Sequence, residues 1–150
     1  MTQRRALAGV VAALVAATAA HVGLAGSSTT VLRATLTGRY LHTTSAGAGT
    51  VTVTITPSQV CWKFTYHGLD APGDSGIHIA PPPAAGVHKT SVFPFTATTS
   101  QKHECDAPTK WGANGPQWLA RIAKDPGRFY VIVGTGKYPQ GAIGGVLTRG

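Results

Sequence analysis

The segment TVTVTIT, residues 50–56, constrains the fold more than any other part of this 150-residue chain. Valine and isoleucine alternate with threonine, which is the period-2 pattern of a β-strand with one buried face. After a turn at Pro57, the segment VCWKFTY (residues 60–66) alternates in the same way, with Val, Trp, Phe and Tyr on one side and Cys61 on the other. The two segments predict an antiparallel hairpin that lines a core.

The rest of the chain supplies further short strands. Residues 31–39 and the apolar run at residues 77–79 predict strands, and three prolines (residues 81–83) end the second. Residues 87–95 predict an edge strand because Pro94 cannot donate to a ladder. Residues 42–49 and the polar stretch 96–115 are expected to be connections.

One helix is predicted at residues 116–124. Pro116 suits the first helical position, Trp118, Leu119 and Ile122 form an apolar stripe, and the sequence DPG (residues 125–127) ends the helix. A last hairpin follows at residues 129–147, around a Lys-Tyr-Pro-Gln-Gly loop. Several short strands and one short helix predict a mainly β fold, an antiparallel Greek-key β-sandwich.

Residues 1–25 have the pattern of a secretory signal peptide. Arg4 and Arg5 precede an uncharged apolar stretch at residues 6–20, and small residues suitable for cleavage follow. We expect residues 26–150 to be exported, either to the medium or to the cell envelope. The alternative is an uncleaved membrane anchor, the one form of membrane association that we expect.

Cys61 and Cys105 are the cysteines of the chain. In an oxidising compartment such a pair predicts a disulfide, worth about 4 kcal/mol for a loop of roughly 45 residues. Because Cys61 points away from the Trp62 side of its strand, the bridge is expected to fasten the long polar connection across the back of that strand. Free thiols and a two-cysteine metal site are the alternatives.

The formal net charge is +8, and it falls to +6 when Arg4 and Arg5 leave with the leader. The remaining cations are scattered, with one small group at Arg121, Lys124 and Arg128. Aromatic residues do not alternate with them in a way that would stack bases, so nucleic acid is not an expected partner. Attraction to anionic cell-surface polymers is one interpretation, and ordinary solubility is the simpler one.

Three segments, in order, carry a family resemblance: ATLTGR (residues 34–39), VCWKFTYHGLDAPGDSGIHI (60–79) and WLARIAKDPGRFYVIVGTGKYPQGAIGGVL (118–147). Together they resemble the CHRD domain, a module found in chordin and as a stand-alone domain in exported bacterial proteins. The resemblance runs over about residues 34–147. It implies an antiparallel β-sandwich with a superoxide-dismutase-like shape, and no reaction is established for the family.

The departures from the family pattern are concentrated in three strands. Where the family has a His-Ile-His triplet, this chain has Gly, Ile and His78, and four further polar residues (Asn, His, Arg and Gln) are replaced by Ile132, Gly134, Gly144 and Val146. Residues two apart on a strand lie on the same side. We therefore expect these four positions to share one face. We also expect that a polar cluster was lost from it as a unit, because each buried polar side chain left without its partner would destabilise the fold by about 1–3 kcal/mol.

No catalytic, metal or cofactor site is predicted. The chain has no HxH, HExxH, GxSxG or Ser-x-x-Lys motif, and its few carboxylates are dispersed. The sequence GTGKYPQG (residues 134–141) lacks P-loop spacing. The histidines after the leader, His42, His67, His78, His88 and His103, are expected to be hydrogen-bonded or exposed, although His78 and His88 flank the prolines closely enough to approach one another.

The sequence thus predicts a non-enzymatic exported CHRD-type protein, a binding or structural module. Its contact residues are predicted to be His78, Trp111, Lys137 and Tyr138, and its contact loops residues 81–86, 111–116 and 135–140. The partner is unknown, with a cell-envelope polymer or a secreted protein as candidates. The alternative is a metal-binding or redox protein, argued from the superoxide-dismutase-like shape.

Overall fold

A computed structural model describes residues 28–80, 91–96 and 103–150. Within these ranges the chain forms one nine-stranded antiparallel sheet and one α-helix. The strands are β1 (Thr30–Thr37), β2 (Ala48–Ile55), β3 (Val60–His67), β4 (Pro72–Ile79), β5 (Phe93–Thr96), β6 (His103–Asp106), β7 (Phe129–Thr135), β8 (Ile143–Val146) and β9 (Thr148–Arg149). The helix is α1 (Gly115–Lys124), and short 3₁₀ helices lie at Arg39–Leu41, Pro108–Trp111 and Pro126–Arg128.

The sheet curls until its two ends face one another. Its strand order is β5-β4-β7-β8-β1-β2-β3-β6, with β9 paired to β1. Trp62 of β3 nevertheless stacks on Phe95 of β5, with ring centroids 4.7 Å apart, although five strands separate them in the sheet. β8 returns to lie beside β1, next to the β1-β2-β3 meander, as the closing strand of a Greek key does. The predicted mainly β, antiparallel sandwich is confirmed.

The β2–β3 hairpin has the register that its alternation predicts. Val53 faces Trp62 and Val51 faces Phe64 across the ladder, and these side chains are almost wholly buried. Fully burying such a side chain stabilises a fold by about 1.5–3 kcal/mol. The inner faces of the two sheet halves thus enclose one main hydrophobic core.

Helix α1 closes one end of this core. Leu119 and Ile122 are buried in it, whereas Trp118 is only partly buried at its edge. The Arg149 guanidinium, from the last strand, donates to the carbonyl oxygens of Ala123 (2.9 Å) and Lys124 (3.3 Å). These carbonyls belong to the last turn of the helix, which has no partners for them within the helix itself.

Several boundaries were predicted wrongly: β1 ends at Thr37 rather than at residue 39, and residues 91 and 92 precede β5 rather than belonging to it. The stretch 96–115 is not a single polar connection, because β6 and the 3₁₀ helix Pro108–Trp111 lie within it. β4 begins at Pro72 rather than near Ile77, since its first half pairs with β5 and β7 through the backbone and needs no apolar pattern of its own. β5 is an edge strand, as Pro94 indicated.

The disulfide joins neighbouring strands. Cys61 of β3 and Cys105 of β6 are directly paired in the ladder, and their sulfur atoms are bonded. This agrees with the predicted pairing, and it shows that the bridge fastens a strand edge rather than a loop. Because the closed loop spans a sequence separation of 44 residues, the bridge also limits the freedom of the unfolded chain.

Some predictions fall outside the described residues: the leader at residues 1–25, the loop at residues 81–86, and His88. Within the described part of the chain, no helix has the length and hydropathy needed to cross a bilayer.

Candidate functional site

The positions that depart from the family pattern form a cross-strand row. Ile132 of β7 pairs directly with Gly144 of β8 on one side and with Gly76 of β4 on the other. Directly opposed residues lie on the same face of a sheet, and Gly134, two residues beyond Ile132, also lies on it. The expectation that the replaced positions share one face is confirmed.

A second row lies beside the first. Tyr130 pairs with Val146 and with His78, so the remaining replaced position and the one retained histidine are also on this face. We call the seven positions together the hairpin face: Gly76, His78, Tyr130, Ile132, Gly134, Gly144 and Val146. It is the outer side of the sheet, opposite to the main core.

The hairpin face is covered by its own small apolar cluster. Leu41, Tyr130 and Ile132 are buried together, and Tyr40 and Val146 pack against them. A Cβ atom at residue 144 would lie 2.9 Å from both Cγ and Cδ2 of Leu41, which is too close for a real contact. Leu41 therefore fills the space in which a side chain at residue 144 would have to begin.

A short turn after β1 brings Leu41 to this position. The 3₁₀ helix Arg39–Leu41 ends at His42, which has a left-handed φ of 55°. The hydroxyl of Thr43 then donates to the carbonyl oxygen of Ala142 at 3.0 Å. This hydrogen bond joins the turn to the end of the β7–β8 loop and so helps to hold Leu41 in place over Gly144.

His78 lies at one end of the hairpin face. Its side chain is buried, and its ring packs against Tyr130 with centroids 5.4 Å apart. Tyr130 in turn contacts Tyr40 at 5.9 Å. The predicted contact residue His78 is therefore part of a packed aromatic row, and its role as a ligand contact stays a prediction.

Burial also governs the acid–base behaviour of this aromatic row. It raises the pKa of Tyr40 above the ordinary value of 10.0, because a phenolate is poorly solvated there. Burial raises the pKa of Tyr130 as well, and the neighbouring phenolate of Tyr40 adds to the effect. Both tyrosines are consequently neutral at physiological pH.

Lys137 and Tyr138 lie at the opposite end of the hairpin, in the loop that follows β7, whereas Tyr130 lies near the start of that strand and is paired with His78. They line a small cavity of about 210 Å³ together with Asp70. The Tyr138 hydroxyl shares a hydrogen bond with Thr44 Oγ1 at 3.0 Å, and the Lys137 ammonium lies 5.5 Å from the Tyr138 ring centroid. This pair forms a polar loop site that is separate from His78.

Trp111 lies in a third place, over the open edge of the main core. Its ring centroid is 3.7 Å from that of Phe93, and its indole N–H donates to the carbonyl oxygen of Pro94 at 3.0 Å. The four predicted contact residues are thus not brought together into one site. Trp111 packs against the main core, and its role as a ligand contact stays a prediction.

One group of metal-ligand side chains is found among the described residues, namely Cys61, His103 and Cys105. Both sulfur atoms belong to the disulfide, and His103 Nε2 lies 3.9 Å from the Cys105 sulfur. A disulfide sulfur has no thiolate to offer a metal. This group therefore gives the metal-binding alternative no support.

A basic groove is the surface that the sequence-based reasoning missed. It has a volume of about 430 Å³ and lies beside the last turns of α1. Arg121, Lys124 and Arg128 were recognised as a local group of charges, with ordinary solubility as the simpler interpretation and attraction to anionic cell-surface polymers as the other. Their common groove was not predictable from that spacing, because part of its floor is Ile79, which comes from β4.

The curled antiparallel sheet, the α-helix and the packed hairpin face define a mainly β, sandwich-like domain. The family model of the CHRD domain matches residues 32–147. The chain belongs to the CHRD domain family. No curated protein and no solved structure matches it.

Proposed function

We propose that this chain is an exported CHRD domain that acts as a binding or structural module, without catalysis, at the cell surface or in the medium. The observation that carries the proposal is the packing of Leu41 over Gly144. Of the four positions at which the family resemblance implies polar side chains, Ile132 and Val146 belong to an apolar cluster, and Gly144 lies against Leu41 of that cluster. What the family fold contributes in this chain is a rigid frame that presents its loops and its outer surface.

Export is supported by three independent observations. CHRD domain proteins are often extracellular, residues 1–25 have the pattern of a secretory signal, and the Cys61–Cys105 disulfide suits an oxidising compartment. The same bridge helps an exported domain to stay folded by constraining the unfolded chain.

The metal-binding alternative is not favoured by the arrangement of the described side chains. His78 packs against Tyr130, and His103 lies beside two disulfide-bonded sulfurs. A zinc or copper site requires three or four nitrogen, thiolate or carboxylate ligands that converge on one point.

The test uses the mature protein collected from the medium of cells that express the full chain. N-terminal sequencing and mass spectrometry establish cleavage and the disulfide. Co-sedimentation with cell-wall and membrane fractions of the producing cells measures binding, and elemental analysis measures copper and zinc. We expect a cleaved, oxidised protein that binds an envelope fraction and holds no stoichiometric metal. Retention in the cytoplasm, or one copper or zinc per chain that is lost in His78→Ala, would contradict the proposal.

A further inference from the structure

The basic groove combines an apolar floor with a cationic rim. Its apolar lining residues, which we call the floor, are Ile79, Trp118 and Phe129, and its cationic lining residues, which we call the rim, are Arg121, Lys124 and Arg128. Its volume of about 430 Å³ lies within the range of small-molecule sites, about 300–1,000 Å³. Ile79 is 43% exposed, one of two large apolar side chains in the described residues that remain so open.

The cations of the rim are not needed to complete the helix. Basic residues near a helix C-terminus commonly interact with its last carbonyl groups. Here, however, Arg149 already donates to the carbonyl oxygens of Ala123 and Lys124. The rim cations are therefore available to bind an anion.

The groove is also positively charged on balance. Asp125 is its one carboxylate and stands among three cations. Within the described part of the chain no ion pair joins Asp125 to any of them. The Arg121 guanidinium lies 5.0 Å from the Trp118 ring centroid, a cation–π contact that holds it at the rim beside an aromatic surface.

We propose that this groove binds an acidic polysaccharide through its carboxylate groups. The inference rests on the proposed function, since it names the partner class of an exported binding module. Planar guanidinium groups pair with carboxylates through two parallel hydrogen bonds. Ile79, whose side chain is 43% exposed, offers an apolar surface to the C–H face of a sugar ring, for which a small inorganic anion has no counterpart. A charged sugar polymer can use both the rim and the floor, whereas a simple anion can use only the rim. The groove therefore fits the polymer better.

The experiment compares binding of the mature protein to polygalacturonate and to dextran, by titration calorimetry at low and at physiological salt. Arg121→Gln/Arg128→Gln removes two rim charges. Its matched control is Arg33→Gln/Arg39→Gln, which removes two exposed arginines that do not line the groove. We expect polygalacturonate binding that weakens with salt, falls about tenfold or more in the rim variant and less than about threefold in the control. Dextran should not bind.

Ile79→Thr tests the floor while keeping a β-branched side chain in β4, so the variant is expected to fold. It should weaken polygalacturonate binding several-fold and leave binding of inorganic polyphosphate unchanged. If the rim variant and the control lose polygalacturonate affinity equally, the inference is wrong, because the binding would then depend only on the net charge of the protein. Groove-dependent binding to anionic phospholipid vesicles without polygalacturonate binding would overturn it in favour of a membrane surface.

The two proposals fail separately. If polygalacturonate does not bind while the protein still sediments with an envelope fraction, the groove inference is wrong and the binding module stands. If the protein is not exported or carries stoichiometric metal, the proposed function fails whatever the groove binds.

Discussion

Leu41 lies directly over Gly144, so that a Cβ atom at residue 144 would be 2.9 Å from two of its carbon atoms and from the Val131 carbonyl oxygen. Gly144→Ala is therefore expected to lower the free energy of unfolding by about 1–3 kcal/mol, the usual cost of overpacking. Urea unfolding followed by tryptophan fluorescence measures it.

The matched control is Gly136→Ala. An added Cβ there meets nothing within 4 Å, so its effect should be near zero or slightly stabilising. The cost of Gly144→Ala should also shrink in a Leu41→Ala background, because Leu41 supplies two of the close contacts. Equal costs at residues 136 and 144 would show that the hairpin face is open.

Removing the disulfide should weaken the fold considerably. Cys61→Ser/Cys105→Ser is expected to reduce the free energy of unfolding by about 2–4 kcal/mol, because the closed loop is long. Reduction of the wild-type protein should give a similar loss, and reductant should leave the variant unchanged. A loss below about 0.5 kcal/mol would mean that the β3–β6 pairing alone holds this edge.

The hairpin face should make stability sensitive to alkaline pH. Burial raises the pKa of both Tyr40 and Tyr130 above 10.0, so the folded state holds these protons more tightly than the unfolded chain. Their contribution is fully present below pH 10 and is lost as pH rises through the folded-state pKa values. The double variant Tyr40→Phe/Tyr130→Phe should therefore lose less stability than wild type between about pH 9 and pH 11, and identical slopes would refute the assignment.

Substitutions of Trp111 distinguish a packing role of this residue from a ligand-binding role. Trp111→Ala should cost about 2–4 kcal/mol, since its ring lies 3.7 Å from Phe93 and closes the core edge. Trp111→Phe keeps most of the packing and loses the hydrogen bond to the Pro94 carbonyl, at about 0.5–1.5 kcal/mol. If Trp111→Ala leaves stability unchanged but abolishes envelope binding, the residue is a contact and the packing account fails.

The strongly patterned strands were predictable from sequence, and the elements without a pattern were not. The alternation in β2 and β3 indicates which side of each strand is buried. The same two-residue period predicts that the replaced positions of β7 and β8 lie on one face. β6 reads His-Glu-Cys-Asp, with no apolar alternation, and its place is set by pairing and by Cys105. Local sequence carries no signal for such a strand.

The candidate sites were less predictable than the fold for a similar reason. Leu41 is a single apolar residue in a short turn, with no periodicity to indicate that it covers Gly144. The basic groove joins cations of α1 to Ile79 of β4. Contacts between segments so distant in sequence depend on the pairing of β4 with β7, which places Ile79 opposite Phe129.

The central claim is that the hairpin face is a packed apolar surface rather than an open polar site, and Ile132→Asn tests it most directly. This variant restores the residue type of the family pattern at a buried position, where an amide without partners costs about 1–3 kcal/mol besides the lost apolar contacts. The account predicts a fall of at least about 2 kcal/mol in the free energy of unfolding. A variant as stable as wild type, to within about 0.5 kcal/mol, would contradict it.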